Sequence, residues 1–221
     1  MPAARGPRMA RTKQIQAQVD RALEEVRNES WFTAETHFAK ALAASRGRND
    51  WPGMIEILEG LRQCRRGIRR KALGRGAITI CDEAVTETMD LAPGRYLIQP
   101  PLVGADARRL IQFGRDRGVP IAVVCREPRT RTGLTPIVAI APGTTVRVQI
   151  DSPTKDNRPS VAWFKGALQA LSDAALEKID PTQVVERRID ALLGCMDAVP
   201  DSEAVLVKLS ETCSEAAQES S

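Results

Sequence analysis

The chain has 221 residues, of which 43% are hydrophobic, 27% charged and only 4% aromatic, and its formal net charge is +4. That balance excludes fibrous, collagen-like and wholly disordered classes, and at this length an ordinary fold buries roughly 70% of the unfolded chain's surface, enough for a core without metal or disulfide staples. Residues 1–75 hold sixteen cationic and eight anionic side chains, residues 76–158 eleven and nine, and residues 159–221 five and eleven, so the front is basic and the back acidic.

Residues 1–13 carry Arg5, Arg8, Arg11 and Lys13 and are expected to form a disordered basic tail. They contain no apolar run long enough for a signal peptide, and no later run approaches a membrane span. Five cysteines, Cys64, Cys81, Cys125, Cys195 and Cys213, are odd in number and lack a C-x-x-C spacing, which points to a reducing cytoplasm, and the single His37 completes no zinc constellation. No metal, cofactor or membrane partner is expected.

Residues 14–75 read as a helical block. Apolar residues recur at three and four through Ile15, Val19, Ala22 or Leu23, and Val26, and again through Ala34, Phe38, Ala41 and Leu42. A third helix opens at Trp51-Pro52, where proline suits the first turn, and runs through Ile55, Leu58 and Leu61 to Ile68. Overlaying the second and third helices at a spacing of twenty pairs Trp31 with Trp51, Ala34 with Met54, Phe38 with Leu58 and Ala41 with Leu61, an internal repeat with two helix starts built alike.

Glu29-Ser30-Trp31 followed by Ala34, Phe38, Ala41 and Leu42 resembles the turn and second helix of a tetratricopeptide repeat, over about one repeat in residues 14–46. The first helix lacks the family's large aromatic and small-residue pattern, and the internal spacing is twenty rather than thirty-four. The resemblance implies helix pairs that bind another protein in a groove, and implies no catalysis.

Residues 76–158 change character. Residues 77–81, 96–99, 119–125, 137–140 and 146–150 are short β-branched runs bounded by glycine, proline or charge, and read as five strands. Residues 105–117 are amphipathic through Ala107, Leu110, Ile111 and Phe113 and close at Gly118, which makes a strand-helix-strand crossover between parallel strands. Ala141-Pro142-Gly143-Thr144-Thr145 reads as a hairpin turn. Residues 159–214 return to three helices, capped by Ser160, by Asp180-Pro181 and by Asp201 or Ser202, and residues 215–221 are expected to be a disordered tail. The expected fold is α+β: a small mixed sheet of about five strands between an N-terminal helical block and three C-terminal helices.

Chemistry has few places to sit. Ala77 to Glu83 is an apolar run ending in two carboxylates, similar to a Walker B element, but no G-x-x-x-x-G-K-[ST] loop exists to hold phosphates, so nucleotide hydrolysis is not expected. The alternative makes Asp82 a helix cap with Glu83 solvated beside it. Ligands of open parallel sheets gather beyond the carboxyl ends of the strands. That edge would collect Asp82, Glu83, Gln99, Gly104, Arg126, Arg129 and Arg131 as a ligand site, with helix N–H groups and arginines gripping an anion. The first two strands, however, are joined by only about twelve residues, short for a full crossover, and an antiparallel pairing would move the carboxylates elsewhere.

The second candidate is the helix end carrying Arg62, Arg65, Arg66, Arg69 and Arg70, a positive stripe able to neutralise phosphates or meet a partner. No aromatic residues interleave it, and the acidic C-terminal block offers internal pairing. Phe38 and Trp51 are the candidate protein-binding residues of a helical groove. Together these features favour a non-catalytic protein-protein interaction or assembly protein. The alternative is a binder of nucleic acid or a phosphate ligand through the arginine helix and the strand-end loop.

Overall fold

The computed structural model describes residues 13–155 and 158–220, so the expected basic tail, Lys13 excepted, lies outside the described residues. Three helices open the chain: α1 (Lys13–Arg27), α2 (Trp31–Arg46) and α3 (Trp51–Ala72). A mixed layer follows, with β1 (Ile78–Cys81), β2 (Gly94–Ile98), α4 (Gly104–Asp116), β3 (Ile121–Arg126), β4 (Leu134–Ala141) and β5 (Thr144–Asp151). Helices α5 (Val161–Glu177), α6 (Val185–Ala198) and α7 (Glu203–Glu219) close it. The architecture is the α+β arrangement expected.

The repeat at spacing twenty has a structural counterpart. Glu29 and Asn49 both take left-handed backbone, at φ 55° and 53°, one residue before the caps Ser30 and Asp50, and each cap precedes a tryptophan. Asp50 accepts a hydrogen bond from the Gly53 N–H at 3.0 Å, which satisfies one orphan donor of α3. A side-chain Cβ built on Gly60 would lie 2.2 Å from Phe38 Cζ, and one on Gly67 would lie 2.7 Å from the Trp31 ring. Residues seven apart on α2 thus rest on glycines seven apart, in reverse order, on α3, so the two helices run antiparallel at close approach.

That packing corrects one expectation. Phe38 is 1% exposed and Trp51 4% exposed, so both belong to the core and neither lines a docking groove. The aromatic rings carry the apolar area that joins α2 to α3, about 2–3 kcal/mol for a fully buried side chain. The Arg46 guanidinium covers the Trp51 ring at 5.2 Å.

The sheet order is β1-β2-β3-β4-β5, with β1, β2 and β3 parallel and β4 and β5 antiparallel to their neighbours. Alternation assigns the faces. Leu97, Ala122, Val124, Ile137 and Val146 enter the large core shared with α1–α3 and α5–α7. Tyr96, Ile98, Val123, Cys125 and Val138 meet Ala107 and Leu110 of α4 on the opposite face. The central strands are buried on both sides, which is why they read as continuous apolar runs.

Strands β1 and β2 are parallel although no helix joins them, against the antiparallel alternative left open by their short connection. The connecting segment crosses the α4 face as irregular chain, seating Val85 in that core. Side chains pin it. The Tyr96 hydroxyl donates to the Ala92 carbonyl at 2.8 Å, and Arg117 donates to the carbonyls of Met89, at 2.7 Å, and Glu87. Arg95, only 4% exposed, donates to the carbonyls of Leu73, Gly74 and Gly76 and so ties the end of α3 to β2.

Two boundaries differ from expectation. Asp180 accepts from the N–H and hydroxyl of Thr182 in a local turn, and α6 begins at Val185 rather than beside Pro181. Helix α7 continues to Glu219 instead of ending at Ser214, because Ala216 is buried and Glu215 pairs with Arg188.

Candidate functional site

The parallel pairing of β1, β2 and β3 lines up the residues that follow them. Gln99 Nε2 donates to Asp82 Oδ2 at 3.2 Å, and Arg126 Nη2 donates to Gln99 Oε1 at 2.5 Å. Three of the predicted strand-end residues therefore form one hydrogen-bonded row. Asp82 caps no helix, since the residues after it are irregular, and Glu83 is exposed beside it. Gly104 serves packing instead of ligand approach: a Cβ there would lie 2.5 Å from Ile140 Cδ1. The start of α4 is closed by its own Asp106, whose carboxylate accepts from the Val103 N–H at 2.9 Å. Arg129 and Arg131 are exposed on the β3–β4 connection.

The arginine stripe of α3 is largely consumed within the molecule. Arg62 pairs with Glu59 at 2.7 Å and with Glu203 at 3.0 Å, and Arg66 pairs with the same Glu203. The two arginines hold the Glu203 carboxyl down at about 2, the Arg66 hydrogen bond contributing most. Arg65 donates to Glu35 at 2.8 Å and to the Met196 carbonyl at 3.1 Å, which joins α3 to α2 and α6. Arg70 is exposed. The basic front and acidic back thus meet inside one fold.

Behind Arg65 lies a cluster that the sequence did not reveal. Glu35, 7% exposed, receives both Arg65 and, at 3.2 Å, Arg115 of α4. Asp201, on the turn between α6 and α7, faces Arg69, Arg65 and Arg115 as well as Glu35. Burial pushes its carboxyl up to about 6, with the three arginines opposing that rise and Glu35 adding to it. Arg69 Nε is buried without a hydrogen-bond partner among the described residues. A cavity of about 30 Å³ separates Asp201 from Arg65 and Arg115, large enough for an ordered water between charged groups.

The turn reaches this place because the sheet splits. Only Cys125↔Val138 and Arg126↔Ile137 pair between β3 and β4, while β4 and β5 pair over eight positions. At the end of the ladder away from the opening, Pro136, whose carbonyl accepts from the Glu127 N–H at 2.9 Å, has no N–H to return toward β3. The opening is lined by Ile111 of α4, Leu171 of α5 and Val199 to Ser202 of the turn. Asp201 borders a cavity shared with Arg65 and Ile68 of α3 and with Ile111 and Arg115 of α4.

Above the Glu35–Arg65–Arg115 junction opens a cleft of about 440 Å³. Its walls come from α2 (Phe32, Ala39, Ala43), α4 (Gln112, Arg115) and α6 (Met196). Its volume falls within the range of sites that hold small molecules or peptide side chains. Lys40, Asp116 and Asp197 also line it. The cysteines offer no nucleophile, since all five are buried, and burial pushes Cys64, Cys125 and Cys213 up to about 12. Among the described residues no group of three His, Cys, Asp or Glu side chains is placed to hold a metal, and no helix is long and apolar enough to cross a membrane.

Glu35 carried one available signal, since it sits three residues before Phe38 and four after Trp31, on the stripe that packs inward. Asp201 and Arg115 carried none, because their meeting depends on how three separate elements stack. No protein-family model matches the chain, and neither a curated protein nor a solved structure matches it.

Proposed function

We propose that the chain is a non-catalytic binding protein that takes a short segment of another protein in the cleft between α2, α4 and α6. The observation that carries this reading is the cleft itself: about 440 Å³, walled by three helices, with a buried ion pair as its floor. Apolar Phe32, Ala39, Ala43 and Met196 supply surface for side chains of a bound segment, and the fixed Glu35–Arg65 pair gives that surface a polar reference point. The resemblance of residues 29–42 to the turn and second helix of a tetratricopeptide repeat favours the same kind of partner. Phe38 and Trp51 have no part in it, because they lie beneath the helices that form the wall.

A second reading is favoured by the row Asp82–Gln99–Arg126, which places an acceptor and donors at the carboxyl ends of three parallel strands, where small ligands gather in such sheets. A nucleic-acid role for the arginine helix loses its support, since Arg62, Arg65 and Arg66 already face carboxylates. The test is a peptide-display selection against the wild-type protein, with each enriched peptide measured again on Ala43→Trp. Ala43 is exposed, so the indole fills the cleft without entering the core. Peptides should bind the wild type and lose the variant; failure to enrich any peptide, or equal binding to both proteins, overturns the reading.

A further inference from the structure

The charges around the cleft balance in a particular way. Arg65, Arg115 and Lys40 line the cleft together with Glu35, Asp116 and Asp197, and Arg69 and Asp201 lie behind its floor, bordering one small cavity. Four cations thus face four carboxylates when all are ionised. The cleft and the charges behind its floor are together neutral in that state, and they become positive by one charge if Asp201 takes up a proton.

We propose that the cleft is a proton-gated site for an acidic segment of its partner: Arg115 and Lys40 receive the segment's carboxylates once Asp201 is protonated. The proposal rests on the cleft being the binding site. Arg115 is the element that connects the two places, since it lines the cleft, hydrogen-bonds to Glu35 and faces Asp201 across the 30 Å³ cavity. With Asp201 ionised, its charge offsets those of Arg65, Arg69 and Arg115 in addition to the Glu35 carboxylate that pairs with Arg65 and Arg115. With Asp201 neutral, only Glu35 remains to them, and the Arg115 side chain, 34% exposed, has charge to offer outward.

The groups that face Asp201 are known on every side: Glu35 from α2, Arg65 and Arg69 from α3, and Arg115 from α4. Arg108 of α4 lines the same opening in the sheet, and Arg62, Arg66 and Glu203 border the small cavity on its other flank. Glu203 is held by Arg66 and Arg62 as a carboxylate well into acid, so it does not titrate in the same range. Burial raises the Asp201 carboxyl to about 6, which puts the change of charge near neutral pH.

A rhodamine-labelled hexaglutamate peptide is the probe, followed by fluorescence anisotropy at low salt at pH 7.5 and 5.5, with hexalysine as the opposite-charge control. One added unit charge at a partly buried site should tighten hexaglutamate binding roughly tenfold between these pH values. Asp201→Asn should bind at both pH values as the wild type does at 5.5. Arg115→Gln should bind weakly at both, and Arg115→Lys should recover part of the loss.

If Asp201→Asn keeps the wild-type pH dependence, or Arg115→Gln binds as well as wild type, the proton gate is wrong. If Ala43→Trp binds hexaglutamate undiminished, the anion sits elsewhere and the cleft reading falls with it. If Ala43→Trp loses the probe while Asp201→Asn still responds to pH, only the gate falls. Hexaglutamate binding at neither pH overturns the acidic segment, and leaves the cleft reading to the display selection.

Discussion

Asp201→Asn should make the protein more stable at pH 7.5, an unusual direction for removing a charge that faces three arginines. The carboxyl sits at about 6 in the fold against an ordinary value of 3.8, so the folded state holds the proton more tightly than the unfolded chain does. A shift of that size corresponds to about 3 kcal/mol at most, and the residual solvent contact of this half-buried side chain reduces it to about 1–2 kcal/mol. The sign follows from the raised value: the group's stability is fully present below 3.8, and it is lost as pH rises through 6. Glu203 behaves oppositely. Held down at about 2, it contributes stability above its ordinary 4.5 that disappears only as pH falls below that. The interval from about 4.5 to 7 therefore isolates Asp201. Urea unfolding of wild type and Asp201→Asn at pH 7.5 and 5.0 measures it, and the variant's advantage should be about 1–2 kcal/mol at 7.5, fall to about half of that at 5.0 and vanish only below 3.8. A variant less stable than wild type at both pH values would mean that the arginines outweigh burial, and the account of this cluster would be refuted.

Two further outcomes follow from the packing. Gly60→Ala places a methyl against the Phe38 ring and should destabilise by about 1–3 kcal/mol despite the better helix propensity of alanine, and Phe38→Leu in the same chain should recover part of it; additive effects in a thermal-unfolding cycle would show that the two do not touch. The outer edge of β5 is guarded at both ends, with Lys178 Nζ donating to the Thr145 carbonyl at 2.7 Å and Trp163 Nε1 to the Asp151 carbonyl at 2.8 Å. Trp163→Phe with Lys178→Met should cost about 1–2 kcal/mol and raise light scattering on concentration, since an uncovered edge recruits other strands; unchanged scattering would show that the edge is protected otherwise.

The layer order of this fold was legible because it is written in local periodicity. The three-and-four spacing of Ile15, Val19 and Ala22 or of Phe164, Leu168 and Leu171 specifies a helix face without reference to anything distant, and each of those residues is buried. The same holds for the turn at Pro142-Gly143, where Gly143 takes φ 71° as a type II turn requires. What local pattern could not decide was direction. A twelve-residue link between β1 and β2 fits either orientation, and the parallel one is held by tertiary bonds from Tyr96 and Arg117, residues that lie outside the link itself.

The same reasoning explains why the strand-end row was anticipated and the buried cluster was not. Asp82 and Gln99 each follow a strand and Arg126 ends one, so sheet topology alone brings them together. Glu35, Arg65, Arg115 and Asp201 come from four elements in two layers, and they meet only because β3 and β4 part and let the α6–α7 turn into the opening. Charge composition did carry a trace of that meeting. A basic α3 and an acidic C-terminal block attract each other across the core, and the turn entering α7 is where the two come closest, with Glu203 meeting Arg62 and Arg66 on one side and Asp201 facing Arg69 and Arg115 on the other. One acid is exposed enough to stay ionised beside its arginines and the other is buried enough to resist, so neighbouring positions on one turn respond to pH in opposite senses.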